Sequence, residues 1–211
     1  MSNRDYGYSD NPANGLDIVR SRTLVGNLRL WDIPRKEQTL EIVINEIGES
    51  AIPGLYMLFE ERGEKRVYIG QTENIKSRLS SHMKSPEDKI KNWDRAIIIN
   101  DGRNAHQSDL NDENIRFVLE DYLVKLFKVN KYKVTTISSR TPSLSSTQKT
   151  LALSFKEELV VLLTRKSKIS KIIMERGDDE VYNDDVKRII LKNNYKIQSW
   201  SKIEAKIDEK K

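Results

Sequence analysis

The sequence predicts an α/β fold in which a small three-stranded antiparallel sheet is flanked by helices and followed by a C-terminal helical appendage. Two apolar, β-prone runs at 54–60 and 66–71 are separated by the polar segment Glu-Glu-Arg-Gly-Glu-Lys, as in a hairpin. A third run at 95–100 is rich in β-branched residues and ends at Asn-Asp-Gly, which is typical of a buried strand. Helical apolar stripes occur before, between and after these strands, so we expect a single α/β layer in this part of the chain.

A helix is predicted over residues 75–84, with Asn74 as its N-cap. Arg78 and His82 lie one turn apart along the edge of the apolar stripe of this helix. We therefore expect both side chains to project beside the sheet. The stripe itself consists of Ile75, Leu79 and Met83.

A longer helix is predicted over residues 111–128. Glu120 lies off its apolar stripe, so its carboxylate is expected to reach a cleft at the edge of the fold. The core-facing positions are Ile115, Val118, Leu119, Tyr122, Leu123 and Leu126.

These patterns divide the chain into three predicted parts: an N-terminal extension with a helix over 1–50, a compact α/β domain over 51–135, and a linker with a helical region over 136–211. The extension contains a short strand at 28–31 and a helix at 36–47. The first residues, 1 to about 14, are polar and contain Gly, Asn and Pro, so they are expected to be loosely ordered. Beyond the domain, a Thr-Pro-Ser-Leu-Ser-Ser linker precedes helices predicted at 151–163 and 184–196.

Composition restricts the class of protein and the chemistry of any metal site. The chain has 211 residues, of which 37% are hydrophobic, enough for a real core. No apolar run approaches the ~20 residues that span a bilayer, and the N-terminus lacks the apolar region of a secretory signal, so a cytoplasmic protein without a membrane partner is expected. There are no cysteines and two histidines, so a bound metal is expected to be a hard ion such as Mg²⁺ held by oxygen.

Charge is distributed unevenly along the chain. The net charge is +5 and the pI is about 9.2, but residues 122–156 carry no acidic side chain. This basic segment suits the phosphate backbone of a nucleic acid, although a solvated surface explains any one of its charges equally well. The predicted DNA contacts are Lys76, Lys125, Lys128, Lys131 and Lys133.

Five side chains that can take part in catalysis occur in a characteristic order and at characteristic intervals. Tyr56 ends the triplet Gly-Leu-Tyr, Tyr68 begins the triplet Tyr-Ile-Gly, Arg78 follows ten residues later and His82 four after that, while Glu120 lies in Leu-Glu-Asp-Tyr-Leu-Val-Lys. In order and spacing they resemble the motifs of the GIY-YIG nuclease family, with Gly-Leu-Tyr in place of Gly-Ile-Tyr. The resemblance covers about residues 51 to 130, and it implies an uncharacterised bacterial type with a C-terminal helical extension.

The resemblance implies a metal-dependent endonuclease that hydrolyses the phosphodiester bonds of double-stranded DNA. Glu120 would bind one Mg²⁺ or Mn²⁺ ion per site, and Arg78 would contact the scissile phosphate with its bidentate fork. Asn130 is the counterpart of an Asn that follows the glutamate helix in many relatives. The catalytic set is then Tyr56, Tyr68, Arg78, His82 and Glu120.

The general base is left open by the residues. A tyrosine has an ordinary pKa of about 10, which must be lowered for it to work near neutral pH. Family precedent favours Tyr56, and Tyr68 or His82 could share the role. Lys65 and Lys76 are close enough in sequence to lower the pKa of a tyrosine.

Other interpretations stay open at this point. The tyrosine pair could be two half-buried aromatic residues on neighbouring strands. The domain could be a non-catalytic DNA-binding module that retains the nuclease fold, or a nuclease that acts on RNA. A homodimer is compatible with the sequence.

Overall fold

The computed structural model describes residues 7–10, 17–23, 26–48, 51–60, 65–84, 90–136 and 142–165. Within them, seven strands form one sheet flanked by four α-helices. The strands are β1 Gly7–Asp10, β2 Val19–Thr23, β3 Leu28–Pro34, β4 Gly54–Glu60, β5 Arg66–Thr72, β6 Arg95–Asp101 and β7 Lys133–Val134. The helices are α1 Glu37–Ile47, α2 Ile75–Lys84, α3 Glu113–Val129 and α4 Ser146–Arg165.

The strand order is β1-β2-β3-β6-β4-β5-β7. Every neighbouring pair is antiparallel except β5 and β7, which are parallel. The predicted hairpin is present as β4 and β5, and β6 pairs with β4 on the side away from β5. The β4–β5 hairpin therefore lies near one end of the sheet.

The prediction of a three-stranded sheet was wrong in its strand number. The N-terminal residues add β1, β2 and β3 beside β6, and the two residues of β7 pair with β5. β2 has the sequence Val-Arg-Ser-Arg-Thr, so the apolar alternation that marks a strand is missing from it. Pairing with its neighbours, rather than local pattern, makes it a strand. β1 likewise falls in residues expected to be loosely ordered.

The two faces of the sheet carry different helices. On one face, α1 and α2 cover a core that includes Trp31, Tyr56 and Ile98. On the other face, α3 and α4 cover a larger core that includes Met57, Phe59 and the remaining apolar side chains of the same strands. Because side chains alternate along a strand, each central strand contributes to both cores.

Helices α2 and α3 match the elements predicted at 75–84 and 111–128, except that residues 109–111 form a 3₁₀ turn before α3 begins. The helix predicted at 184–196 lies outside the described residues. The boundaries of the three predicted parts stay a prediction. In the described part of the chain, no helix is both long enough and apolar enough to span a membrane.

Candidate active site

The register of the β4–β5 hairpin brings the two motif tyrosines together. Tyr56 lies opposite Gly70, and Leu58 lies opposite Tyr68. Residues that are directly opposite, or two apart, share a face of the sheet, so both tyrosines point towards α1 and α2. Their ring centroids are 6.0 Å apart.

Gly70 makes room for the Tyr56 ring. A Cβ atom at this position would lie 2.5 Å from both Cζ and Oη of Tyr56, closer than any real contact. The glycine of the Tyr-Ile-Gly triplet is therefore needed here for close approach rather than for a special backbone angle.

Helix α2 contributes the other two side chains of the cluster, Arg78 and His82. Its predicted N-cap is confirmed, because Asn74 Oδ1 accepts a hydrogen bond of 3.0 Å from the Ser77 amide. Arg78 Nε donates to Tyr56 Oη at 3.0 Å, and the same oxygen lies 3.1 Å from Nε2 of the buried His82. Tyr56 Oη thus joins the two helical side chains.

Burial and charge act in opposite directions on this hydroxyl. Burial raises the pKa of Tyr56 above its ordinary value of 10.0, and the neighbouring Tyr68 adds to the effect. The hydrogen bond from Arg78 lowers the same pKa but does not offset the burial. The hydrogen bond to Tyr56 raises the pKa of Arg78. Near neutral pH the cluster therefore contains a neutral phenol beside a charged guanidinium.

A cleft of about 460 Å³ opens beside this cluster. Lys133 to Thr136 hydrogen-bond along the edge of β5 as far as Ile69, and the cleft lies at the end of the strand beyond them. Arg78 is the member of the tyrosine cluster that lines it. The full lining is Gln71, Thr72, Glu73, Asn74, Ser77, Arg78, Ser81, Glu113 and Arg116.

Glu120 lies on α3, one turn after Arg116, so both are on the same side of that helix. It is buried, at 8% exposure, and it is not among the residues that line the cleft. The described residues contain no group of three or more histidines or carboxylates that could hold a metal. A single carboxylate still suits a hard cation that keeps most of its waters, so the donor chemistry of Glu120 fits such an ion. Its role as a ligand stays a prediction.

The lysines lie in several different settings. Lys65 Nζ is 5.9 Å from the ring centroid of Tyr132, which packs on the α3 and α4 side. It therefore is not the cation beside Tyr56, a place that Arg78 occupies. Lys125 pairs with Asp121 at 2.6 Å, so the basic segment is partly neutralised by a carboxylate just before it. The side chains of Lys76, Lys128, Lys131 and Lys133 are exposed.

Sequence reasoning missed Gln71 and Arg116. Arg116 is only 1% exposed, and its Nε donates to Gln71 Oε1 at 2.8 Å. The available signal was a charged residue in an apolar row, because Arg116 precedes Leu119 and Leu123 by three and seven residues. A buried charge in such a row requires dedicated partners.

Two tyrosines, an arginine and a histidine thus lie together beside an open cleft. Residues 52–133 match the family model described as the GIY-YIG catalytic domain, so this part of the chain is a GIY-YIG nuclease domain and the predicted family is confirmed. The predicted enzyme class, an endonuclease that is a phosphodiester hydrolase, is confirmed with it. Neither a search of curated proteins nor a search of solved structures gives a match.

Proposed function

We propose that this nuclease is a metal-dependent endonuclease that hydrolyses double-stranded DNA at the tyrosine cluster. The observation that carries the proposal is the position of Tyr56 Oη between two partners, Arg78 Nε at 3.0 Å and His82 Nε2 at 3.1 Å. A hydroxyl held in this way can receive one proton while it passes on another. Hydrolysis of a phosphodiester requires that kind of proton removal from water.

The raised pKa of Tyr56 decides how the base works. A free phenolate is disfavoured near neutral pH because burial opposes its charge. With Arg78 donating to the oxygen, the Tyr56 proton is directed to His82 Nε2, which accepts it when the imidazole is neutral and carries its proton on Nδ1. The attacking water then loses its proton to Tyr56 Oη as Tyr56 passes its own proton to His82, so no isolated phenolate forms.

The bond changes follow from this route. The water oxygen bonds to phosphorus, one P–O ester bond breaks, and the departing oxygen takes a proton from solvent. Arg78 lines the cleft, where its terminal nitrogens contact the oxygens of the scissile phosphate as charge builds on them. Tyr68, with its ring centroid 5.7 Å from that of His82, packs against the relay and holds the imidazole in place.

Glu120 is the proposed ligand of a divalent cation, Mg²⁺ or Mn²⁺. When bound, such an ion supplies charge stabilisation to phosphate oxygens and lowers the pKa of coordinated water. The chain contributes a carboxylate that α3 holds on the same side as the cleft residue Arg116. Glu120 is 8% exposed, so its carboxylate is largely shielded from bulk water.

Exposed lysines are the proposed contacts to the DNA backbone. Lys76 projects from the first turn of α2, and Lys128, Lys131 and Lys133 lie at and after the end of α3. Lys125 is assigned the same role, but its pair with Asp121 makes it the weakest of the five. Removing phosphate contacts of this kind flattens the salt dependence of binding by ~0.9 log units per contact on duplex DNA.

The decisive experiment is incubation of supercoiled plasmid with the purified protein, followed by gel electrophoresis. Nicked or linear product with Mg²⁺ or Mn²⁺, and none with EDTA, is the expected result. Equal cleavage by repurified protein in metal-free buffer would reject the metal-dependent mechanism. A parallel structured RNA substrate tests the choice of nucleic acid, since RNA cleavage without DNA cleavage would reject DNA as the substrate. Binding without cleavage of either would favour the binding-module alternative.

A further inference from the structure

Gln71 is the first residue after the Tyr-Ile-Gly triplet, and it is one of the residues that line the cleft, as Arg78 is. Its Oε1 accepts a hydrogen bond of 2.8 Å from Arg116 Nε. Within the described part of the chain, its amide nitrogen donates to no protein acceptor. The side chain therefore has one atom committed to the protein and one donor group left for a ligand.

Arg116 fixes the orientation of that amide. It is 1% exposed, and its Nη1 donates to the carbonyl oxygens of Leu110 at 2.6 Å and Asn111 at 3.0 Å. A guanidinium has donors and no acceptor, so the atom of Gln71 that faces Arg116 must be the oxygen. The NH₂ group is then directed elsewhere on a side chain that borders the cleft.

We propose that Gln71 Nε2 donates a hydrogen bond to a non-bridging oxygen of a phosphodiester next to the scissile one, and that Arg116 is the residue that positions it. The inference rests on the proposed function, because it takes a nucleic acid to be the occupant of the cleft. It identifies a substrate contact outside the tyrosine cluster and assigns a task to the buried arginine of α3.

The hydrogen bond that Gln71 Oε1 accepts from Arg116 also limits the groups that Gln71 can recognise in a nucleic acid. Glutamine recognises adenine by using its amide oxygen and nitrogen together. With Oε1 held by Arg116, only the donor remains, and a single donor suits a backbone oxygen. Contacts to phosphate position the nucleic acid without reading its sequence, so Gln71 should strengthen binding to all sequences alike.

Gln71→Glu is the sharpest test. The variant keeps an acceptor for Arg116 Nε and replaces the NH₂ group by a carboxylate oxygen, so the fold is retained while the donor becomes a negative charge. The Kd for a fluorescein-labelled duplex, measured by anisotropy in EDTA to prevent cleavage, should rise by about ten- to a hundredfold for two unrelated sequences, since a hydrogen bond to a charged group is lost. Gln38→Glu adds the same charge at an exposed position of α1 and should leave the Kd unchanged.

Two further variants separate positioning from folding. Gln71→Ala should weaken binding less than Gln71→Glu does and keep the wild-type salt slope, because a neutral amide releases no counterion. If Arg116 acts through Gln71, then Arg116→Lys should weaken binding in the wild-type background and have no further effect on Kd in the Gln71→Ala background. Should Arg116→Lys fail to fold, the two Gln71 variants decide alone.

The outcomes distinguish this inference from the proposed function. Wild-type affinity in both Gln71 variants, with the wild-type protein still cleaving DNA, overturns the inference and leaves the proposed function intact. A loss confined to one of the two sequences overturns the phosphate assignment. If the wild-type protein neither binds nor cleaves DNA, both proposals fail.

Discussion

The two faces of the central sheet are built from the same strands and perform different tasks. Along β4, Leu55, Met57 and Phe59 point towards α3 and α4, and the residues between them point towards α1 and α2. The α3 and α4 face is mainly an apolar core, with the buried polar side chains Arg116 and Glu120 on α3. The opposite face is apolar near α1, but beside α2 it contains Tyr56 with two polar partners.

This difference shows how a small domain carries polar chemistry in a strand that is buried on both sides. A buried hydroxyl costs free energy unless it is hydrogen-bonded, and Tyr56 meets that condition through Arg78 and His82 of a single helix. On the opposite face, β4 presents only apolar side chains, which pack for stability. Mutations of these apolar side chains and their neighbours should therefore affect folding, and mutations around Tyr56 should affect catalysis.

The largest effect on stability should come from Phe127→Ala. Phe127 is a fully buried residue of α3, with its ring centroid 5.6 Å from that of Phe59 and 5.2 Å from that of Tyr132. The cavity should lower the free energy of unfolding by about 3 to 5 kcal/mol, measured by urea denaturation. Tyr56→Phe on the other face keeps its ring, so it should cost about 1 to 3 kcal/mol and abolish cleavage. Equal destabilisation by the two variants would contradict the division of tasks.

Arg78→Ala should have the next largest effect, on catalysis. The loss of an electrostatic contact to the transition state costs about 2.7 to 4 kcal/mol, so the cleavage rate should fall roughly a hundredfold to a thousandfold, and DNA affinity should fall with it. Glu120→Ala should lose cleavage and keep most of the affinity. Arg66→Ala is a matched control, because Arg66 lies on β5 and pairs with Glu60 at 3.3 Å, away from the cleft. Wild-type cleavage by Arg78→Ala would show that the cluster is not the active site.

Gly70→Ala should disturb the catalytic face with a smaller change in stability. The new Cβ would overlap the Tyr56 ring, and overpacking of this kind costs about 1 to 3 kcal/mol. Displacing the ring should also separate Tyr56 Oη from its two partners and slow cleavage. Tyr56→Ala removes the obstacle, so adding Gly70→Ala to that variant should cost no further stability. A continued loss in the double variant would place the strain elsewhere.

The smallest effect concerns Glu158, a carboxylate of α4 that hydrogen-bonds to β3. Glu158 Oε2 accepts a hydrogen bond of 2.9 Å from the Leu28 amide, and burial raises the pKa of this carboxyl above its ordinary value of 4.5. A raised pKa means that the folded state binds the carboxyl proton more tightly than the unfolded state does. The stability that this proton contributes is fully present below about pH 4.5, and it is lost as pH rises through the folded-state pKa of Glu158.

Glu158→Gln removes this titration. The free energy of unfolding of the variant should therefore exceed that of wild type by more at pH 7.5 than at pH 4, as measured by urea unfolding at both values. Glu157→Gln, at the neighbouring position of α4, removes the same charge and serves as the control. The same difference between variant and wild type at both pH values would show that Glu158 is not protonated more readily when folded.

Much of the catalytic half of the fold could be predicted from the sequence because its signals are local. Local sequence signals, each only a few residues long, predict the strands β4 and β5, the helix α2 and its cap at Asn74. Part of β3 was predicted at 28–31, but β1 and β2 could not be predicted in this way, since β2, with Arg20 and Arg22, is a strand through its pairing with β1 and β3. A short strand rich in polar residues has no period of its own to detect.

The candidate site shows the same limit. Motif spacing identified Tyr56 and Arg78 as candidate site residues. The hydrogen bond between Gln71 and Arg116 joins residues 45 positions apart in the sequence, and no periodic pattern in the sequence predicts it. Closeness in sequence suggests Lys65 and Lys76 as cations that lower the pKa of a tyrosine, but Arg78 is the residue that donates to Tyr56 Oη, and Lys65 lies against Tyr132. Contacts between distant elements depend on the register of the sheet, which a single sequence does not state.

The position of β6 has a consequence for any attempt to isolate the catalytic domain. β6 is buried along its whole length, and its outer edge is covered by seven residue pairs with β3, from Leu28 opposite Asp101 to Pro34 opposite Arg95. A fragment cut at residue 51 would leave that edge bare along an isoleucine-rich strand. Exposed apolar edges recruit strands from other molecules, so such a fragment should form aggregates at concentrations where the intact chain stays dispersed.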